Sequence, residues 1–331
     1  MAGRALAFSD AEIIRLGRAE YISVAADDWY QRRRQDAEGR FFVSVANQGP
    51  RKGEGGATRQ GIYVLTPGGK LLAYKNAGQN PEVMREVLQQ GLEKWRMLPE
   101  SERAPGAIKV PGHGPVDAAY VRTAPPGGLI LSVYARALDQ PAPAKFSDAV
   151  CKPGGGDEAS RDHLWLTEAE WKTLIPSSPK KGNEFSMPPR IAERILRFHL
   201  IDNTRGEPPL WRRDQIRSSA MKWVVEKAAP AEILLRLEGR ALLATDADPA
   251  KADRGYDARL LGYLRYDANQ KAIDRFDIVA VGDHWGEGAY IRGGRPGRQP
   301  LGVAFELAHG DSPADRIAPQ AAREASEYFA P

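Results

Sequence analysis

Hydrophobic and polar positions switch between two periods along the chain. Near the start, Ile13, Ile14 and Leu16 follow Ser9 and Asp10, either of which offers a side-chain oxygen to cap a short helix. Glu20 to Ala26 reads as a strand, and a second helix is expected across Trp29 to Ala46, with Phe41, Phe42 and Val45 on one side. After the glycine-rich loop Gln48 to Arg59, the runs Gly61 to Thr66 and Lys70 to Lys75 flank Pro67, Gly68 and Gly69, the clearest hairpin in the sequence. Asn80 can then satisfy free backbone amides, and Pro81 supplies a preset φ. Val83, Met84, Val87, Leu88, Leu92 and Trp95 follow at helical spacing.

Residues 96–126 carry six prolines and several glycines, the composition of a connection running over a surface, and a domain boundary is expected there. Beyond it, Gly127 to Leu138 reads as a strand with Leu129, Leu131 and Val133 on one side, followed by a glycine-rich loop at Pro153 to Gly156. Thr167 and Glu170 form a capping box for a helix ending before Pro176, and Pro188 and Pro189 start another through Ile191, Ile195 and Phe198. Six strands are then predicted: Met221 to Glu226, Ile233 to Leu237, Ala241 to Thr245, Arg259 to Tyr266, Phe276 to Val281 and Leu301 to Leu307, with a turn at Asp267 to Gln270. Short connections make this an antiparallel meander with one face packed by the preceding helices. No internal repeat is visible, which argues against a solenoid or propeller.

With 331 residues, 42% of them hydrophobic and 27% charged, the chain suits two folded domains rather than one. The 47 basic and 43 acidic residues are interspersed, and the densest basic run, Arg32 to Arg34, is followed by Asp36 and Glu38, so it reads as a self-paired helix face and no nucleic-acid partner is expected. A single cysteine, Cys151, excludes an intramolecular disulfide and a four-cysteine zinc site. No apolar run spans a bilayer and Met1 to Ser9 is not a signal peptide, so a soluble protein is expected, cytoplasmic or exported with its signal removed.

Asp27 to Arg34, Thr58 to Tyr63 and Gly69 to Tyr74 resemble bacterial proteins of the thioredoxin-like superfamily over about the first hundred residues. The resemblance implies a thioredoxin-like fold. That family's Cys-x-x-Cys pair would fall near Leu6 to Ala11 and its cis-proline at Arg59 or Gln60; both are missing, so thiol–disulfide exchange is not implied. The expected fold class is an α/β thioredoxin-like N-terminal domain over residues 1–100, a Pro/Gly-rich linker over 101–126, and a larger α+β domain with an antiparallel meander over 127–331.

Of five histidines, three stand at expected element ends in the second domain: His163 closing a glycine-rich loop, His199 ending a helix, and His284 following a strand. Three imidazoles with one open position make a usual catalytic metal shell, which Cys151 or a carboxylate would complete. Copper or zinc suits imidazole with thiolate, whereas iron would ordinarily want a carboxylate such as Glu287. On this reading the protein is a metal-binding protein or a metal-dependent oxidoreductase or hydrolase, with Glu287, Asp283 or Asp162 carrying protons. No two of these histidines share a zinc or haem spacing, and His199 falls on the apolar side of its helix, where core histidines sit. His113 and His309 read as surface residues.

Two rival readings remain. One is a non-catalytic module binding a small molecule or protein on the sheet, aided by the arginine- and tryptophan-bearing loops Asn203 to Arg213 and Arg292 to Arg298. The other is a Cys151-dependent enzyme in which His163 favours the thiolate.

Overall fold

A computed structural model describes residues 8, 10–50, 52, 58–76, 80–104, 114–138, 159–204, 206–288, 296–308, 310 and 312–329. The architecture is two-domain α+β: a small helix and hairpin unit, Gly3–Arg122, and a larger unit from Thr123 to Pro331 built on an eight-stranded antiparallel sheet.

In the first unit, Asp10 caps helix α1 (Ala11–Ala19) by accepting from the amides of Glu12 and Ile13. The long helix expected across Trp29 to Ala46 is two short ones, α2 (Asp28–Gln31) and α3 (Ala37–Ala46), because Asp36 starts a new helix by accepting from Gly39 N–H. Strands β1 (Ile62–Leu65) and β2 (Leu71–Lys75) form the expected hairpin, and helix α4 (Pro81–Met97) begins at the Asn80 cap. Gly91 lets α4 approach the hairpin, since a Cβ there would lie 2.4 Å from Val64 Cγ1. A short helix, α5 (Glu100–Arg103), follows.

Glu20 to Ala26 corrects the sequence expectation. It makes no strand, and Ile22 and Val24 are 94% and 82% exposed, so no buried face holds the segment in a sheet. Among the described residues this unit contains one two-stranded sheet. The arginine run is paired as expected: Arg32 lies 3.7 Å from Asp28, and Arg34 donates to Asp36. Asp117 also belongs to this unit, its amide donating to the Asp36 carboxylate.

The second unit contains β3 (Leu129–Ala137), β4 (Ser160–Leu166), helix α6 (Glu168–Lys172), β5 (Glu184–Ser186), helix α7 (Pro189–Arg194), β6 (Ile216–Ala229), β7 (Glu232–Ala244), β8 (Gly255–Asp267), β9 (Ala272–Trp285), β10 (Gln299–Leu307) and helix α8 (Ala325–Tyr328). Their spatial order is β4-β3-β10-β9-β8-β7-β6-β5, antiparallel throughout. The two strands expected at Ile233 to Leu237 and Ala241 to Thr245 are one, β7, because Gly239 continues the ladder opposite Leu260. β4 and β5 were not legible as strands in the sequence. One face of the sheet buries Leu131, Val133, Leu235, Leu237, Leu260, Phe276, Ile278, Val303 and Phe305 in the same core as Ile191, Ile195 and Phe198 from the helical segment. No helix among the described residues is long and apolar enough to cross a membrane.

Candidate functional site

The three histidines do not converge. Among the described residues no group of three His, Cys, Asp or Glu side chains is placed to hold a metal ion. The reason is strand geometry. His163 lies within β4, not in a loop, and neighbouring residues of a strand face opposite sides of the sheet. Asp162 therefore faces the helical layer, where its Oδ2 lies 3.5 Å from His199 Nδ1, and His163 faces away. His284 is on β9, three strands from β4. In the ladder, Asp162 registers through Val133 and Phe305 with Ile278, and His284 is a further run of β9 along, roughly 20 Å at about 3.3 Å per residue. Its ring meets that of Tyr256 at 6.0 Å.

The copper, zinc or iron centre at His163, His199 and His284 is thus corrected, and with it the metal-dependent oxidoreductase or hydrolase. The proton-carrying roles given to Asp162, Asp283 and Glu287 had that centre as their premise. Asp283 and Glu287 are exposed, and Asp162 accepts from the Gln320 amide. Cys151, His113, His309, the loop Pro153 to Gly156 and residues 289–295 lie outside the described residues.

His199 belongs to a latch over the edge strand β4. A π-helical turn, Ile195–His199, closed by Leu200 N–H to Ile195 C=O at 3.0 Å, aims the ring at Tyr328, whose hydroxyl is 3.2 Å from His199 Nε2 and accepts from Trp165 N–H at 3.1 Å. Arg194 donates to the carbonyls of Tyr328 and Trp165 and, through both terminal nitrogens, to Glu170. The C-terminal segment thereby satisfies backbone groups that an edge strand would leave open. Burial pushes the Tyr328 phenol far above its ordinary range, so it stays a neutral hydrogen-bonding group rather than a proton carrier.

His163 is 3% exposed, and neither ring nitrogen has a hydrogen-bond partner among the described residues. Burial, with Arg161 and His199 nearby, lowers its pKa below 6.5 against the opposing pull of Asp162 and Asp315. The unfolded chain then binds a proton that the folded ring refuses, so this contribution to stability is complete above about pH 6.5 and is lost as pH falls toward the folded value. We expect His163→Leu to flatten the stability profile over that window and to match or exceed wild type at about pH 5, as measured by urea unfolding across pH.

The opposite edge of the sheet is built differently. β5 pairs with β6 at Lys222 to Val224, and three further backbone bonds flank the ladder: Met187 N–H to Met221 C=O at 2.9 Å, Gly182 N–H to Val225 C=O at 2.8 Å and Val225 N–H to Asn183 C=O at 2.9 Å. Pro188 and Pro189 then turn the chain off the sheet into α7, since proline cannot donate to a ladder. From Ile216 to Ala220, β6 is paired with β7 on one side and, among the described residues, has no strand on the other. Val225 and Met221 direct their backbone groups to the β5 side, and the alternation of an antiparallel strand places those of Ser219 there too.

A groove of about 890 Å³ runs between this open edge and α7. Buried Met187, Leu196 and Met221 line it together with Pro189, Ala192 and Ile216. Charged side chains border it: Lys222, Glu238 and Arg240 from the sheet, Glu193 and Arg213 from the helical side. Lys222 is held to Glu184 at 2.8 Å and Arg213 to Glu193 at 2.6 Å, whereas Arg240 has only 3.3 to 3.4 Å contacts to Asp257. The sequence signal for this site was the proline pair directly after a very short polar strand, but the strand itself was not recognised.

Compared with known proteins, the chain matches no family model, no curated protein and no solved structure. The thioredoxin-like resemblance of the first hundred residues gains no support from them.

Proposed function

We propose that the second unit is a recognition module that takes an extended peptide into the groove as an added strand on β6. The carrying observation is the difference between the two sheet edges. The backbone edge of β4 is closed by Tyr328 and Arg194, while among the described residues β6 is left without a strand from Ile216 to Ala220 beside an apolar-lined groove. Main-chain bonds to Ser219 would supply affinity, and the cleft beside Met187 and Leu196 would select alternate side chains of the ligand. The β-bulge at Arg217, whose guanidinium donates to Ala244 C=O, ends the regular edge and limits the added strand to a short segment. The thioredoxin-like resemblance has no part in this reading, since it concerns the first unit and the groove lies in the second.

The test is binding of fluorescein-labelled hexapeptides with alternating apolar and polar residues, read by anisotropy and by amide hydrogen exchange. A bound peptide is expected to slow exchange at Ser219. Ser219→Pro, which removes the edge donor at a position where proline is tolerated in a strand, is expected to weaken binding by roughly tenfold or more. Exchange at Ser219 unchanged by every peptide of the panel, or equal affinity for Ser219→Pro, would overturn the proposal.

A further inference from the structure

Arg254 ends the turn between β7 and β8 and is 5% exposed. Its guanidinium stacks on the Trp211 ring, 4.0 Å from the centroid, and donates once, from Nη1 to Pro209 C=O at 2.7 Å. No carboxylate among the described residues pairs with it. Three other buried arginines differ: Arg34 has Asp36, Arg194 has Glu170, and Arg197 has Glu193 and Glu327. A buried cation without an anion is costly, and burial alone lowers the Arg254 pKa to about 10. The backbone beneath is rigidly set. Gly286, at φ +83, lies so close that a Cβ there would be 1.9 Å from Asp253 C=O and 2.7 Å from Arg254 Cα, and Trp285 donates to Ala252 C=O at 2.9 Å.

We propose that Arg254 is the anchor of an anion site at this end of the sheet, taking the oxyanion of a phosphate or a carboxylate against the Trp211 face. A guanidinium carries five N–H donors in a planar fork suited to two oxygens of such a group, and Arg254 spends one of them on Pro209. The neighbouring basic groups are already engaged, Arg212 with Asp214 and Arg213 with Glu193, so the unneutralised charge is local to Arg254.

The experiment is thermal unfolding of the full chain at constant ionic strength in sodium chloride, inorganic phosphate or succinate. For wild type, phosphate or succinate is expected to raise Tm saturably, by about 5 °C at high occupancy. Arg254→Met, which keeps the stem over Trp211 and removes the charge, is expected to lose that shift and to unfold in chloride no earlier than wild type. A rise with phosphate alone assigns a phosphate group, and a rise with succinate alone assigns a carboxylate. No saturable rise in wild type with either anion, or an equal rise in Arg254→Met, overturns the proposal. If Arg254→Met does not fold, calorimetric titration of wild type and Arg254→Lys with phosphate and succinate decides it: saturable binding weakened in Arg254→Lys is expected, and its absence, or equal affinity in both, is fatal.

Discussion

Arg194→Ala is expected to destabilise the second unit by about 3–5 kcal/mol at pH 7, the usual cost of removing one partner of a buried charge pair. The side chain is 2% exposed and serves three groups at once: Glu170, the Trp165 carbonyl and the Tyr328 carbonyl. Alanine would leave a half-buried carboxylate and two carbonyls without this donor, and it would release the C-terminal segment from the edge of β4. Glu170 is desolvated, which alone would raise its pKa, yet its bonds from Arg194 and Thr167 hold it below 4.5. In wild type its contribution is therefore present above about pH 4.5 and lost as pH falls through the folded value. In the variant, burial would raise the Glu170 pKa, and protonation would then favour the folded form. The deficit should accordingly shrink as pH is lowered toward 4.5. Urea unfolding followed by tryptophan fluorescence suits the measurement, since Trp165, Trp171, Trp211, Trp223 and Trp285 all lie in this unit. A loss under about 1 kcal/mol at pH 7 would show that the latch is dispensable.

Trp223 gives the second large effect. It is wholly buried on β6, with its ring 6.0 Å from that of Phe276. Trp223→Ala is expected to cost about 3–5 kcal/mol through lost apolar contact and the cavity left behind. Its indole N–H has no hydrogen-bond partner among the described residues, so the polar end of the ring contributes a desolvation cost without a compensating bond. Trp223→Phe, which keeps an aromatic ring and removes that donor, is expected to remain within about 1.5 kcal/mol of wild type. Urea unfolding of the three proteins checks the order, and a phenylalanine variant as unstable as the alanine one would mean that the whole indole, N–H included, and not a generic aromatic ring is what this position requires.

The peptide groove and the Arg254 site share a physical origin in unequal treatment of backbone and charge. Folding proteins cover edge strands and pair buried ions because open ladder groups and lone charges are costly. This chain does both at β4, with Tyr328 and with Arg194 on Glu170. Among the described residues it does neither along Ile216 to Ala220 or at Arg254. Those two exceptions, rather than the histidines, are where a ligand would complete what the fold leaves unfinished.

Local signals in the sequence located several elements because they depend on near neighbours. The Thr167 and Glu170 capping box, the Asn80 and Pro81 helix start and the hairpin around Pro67 to Gly69 are all present. Glu20 to Ala26 has the residues of a strand but no buried face to receive it. β4 was hidden because Ser160 to His163 is polar, and the side chains of Ser160, Arg161 and Asp162 are accommodated by Asn203, Asp315 and Gln320, far away in sequence. Arg254 looked like any turn arginine, since its burial comes from Trp211 and Pro209.

By itself, the sequence determined that the chain holds two units, that the second rests on an antiparallel sheet, and where most helices begin, since capping, proline placement and period are short-range physics. Only the tertiary structure decided which faces met. It put His163 and His199 on opposite sides of one strand and His284 far along another and, among the described residues, closed one sheet edge, left the other open and buried a cation without a counter-charge. Those outcomes depend on strand order and register, which residues distant in sequence settle together.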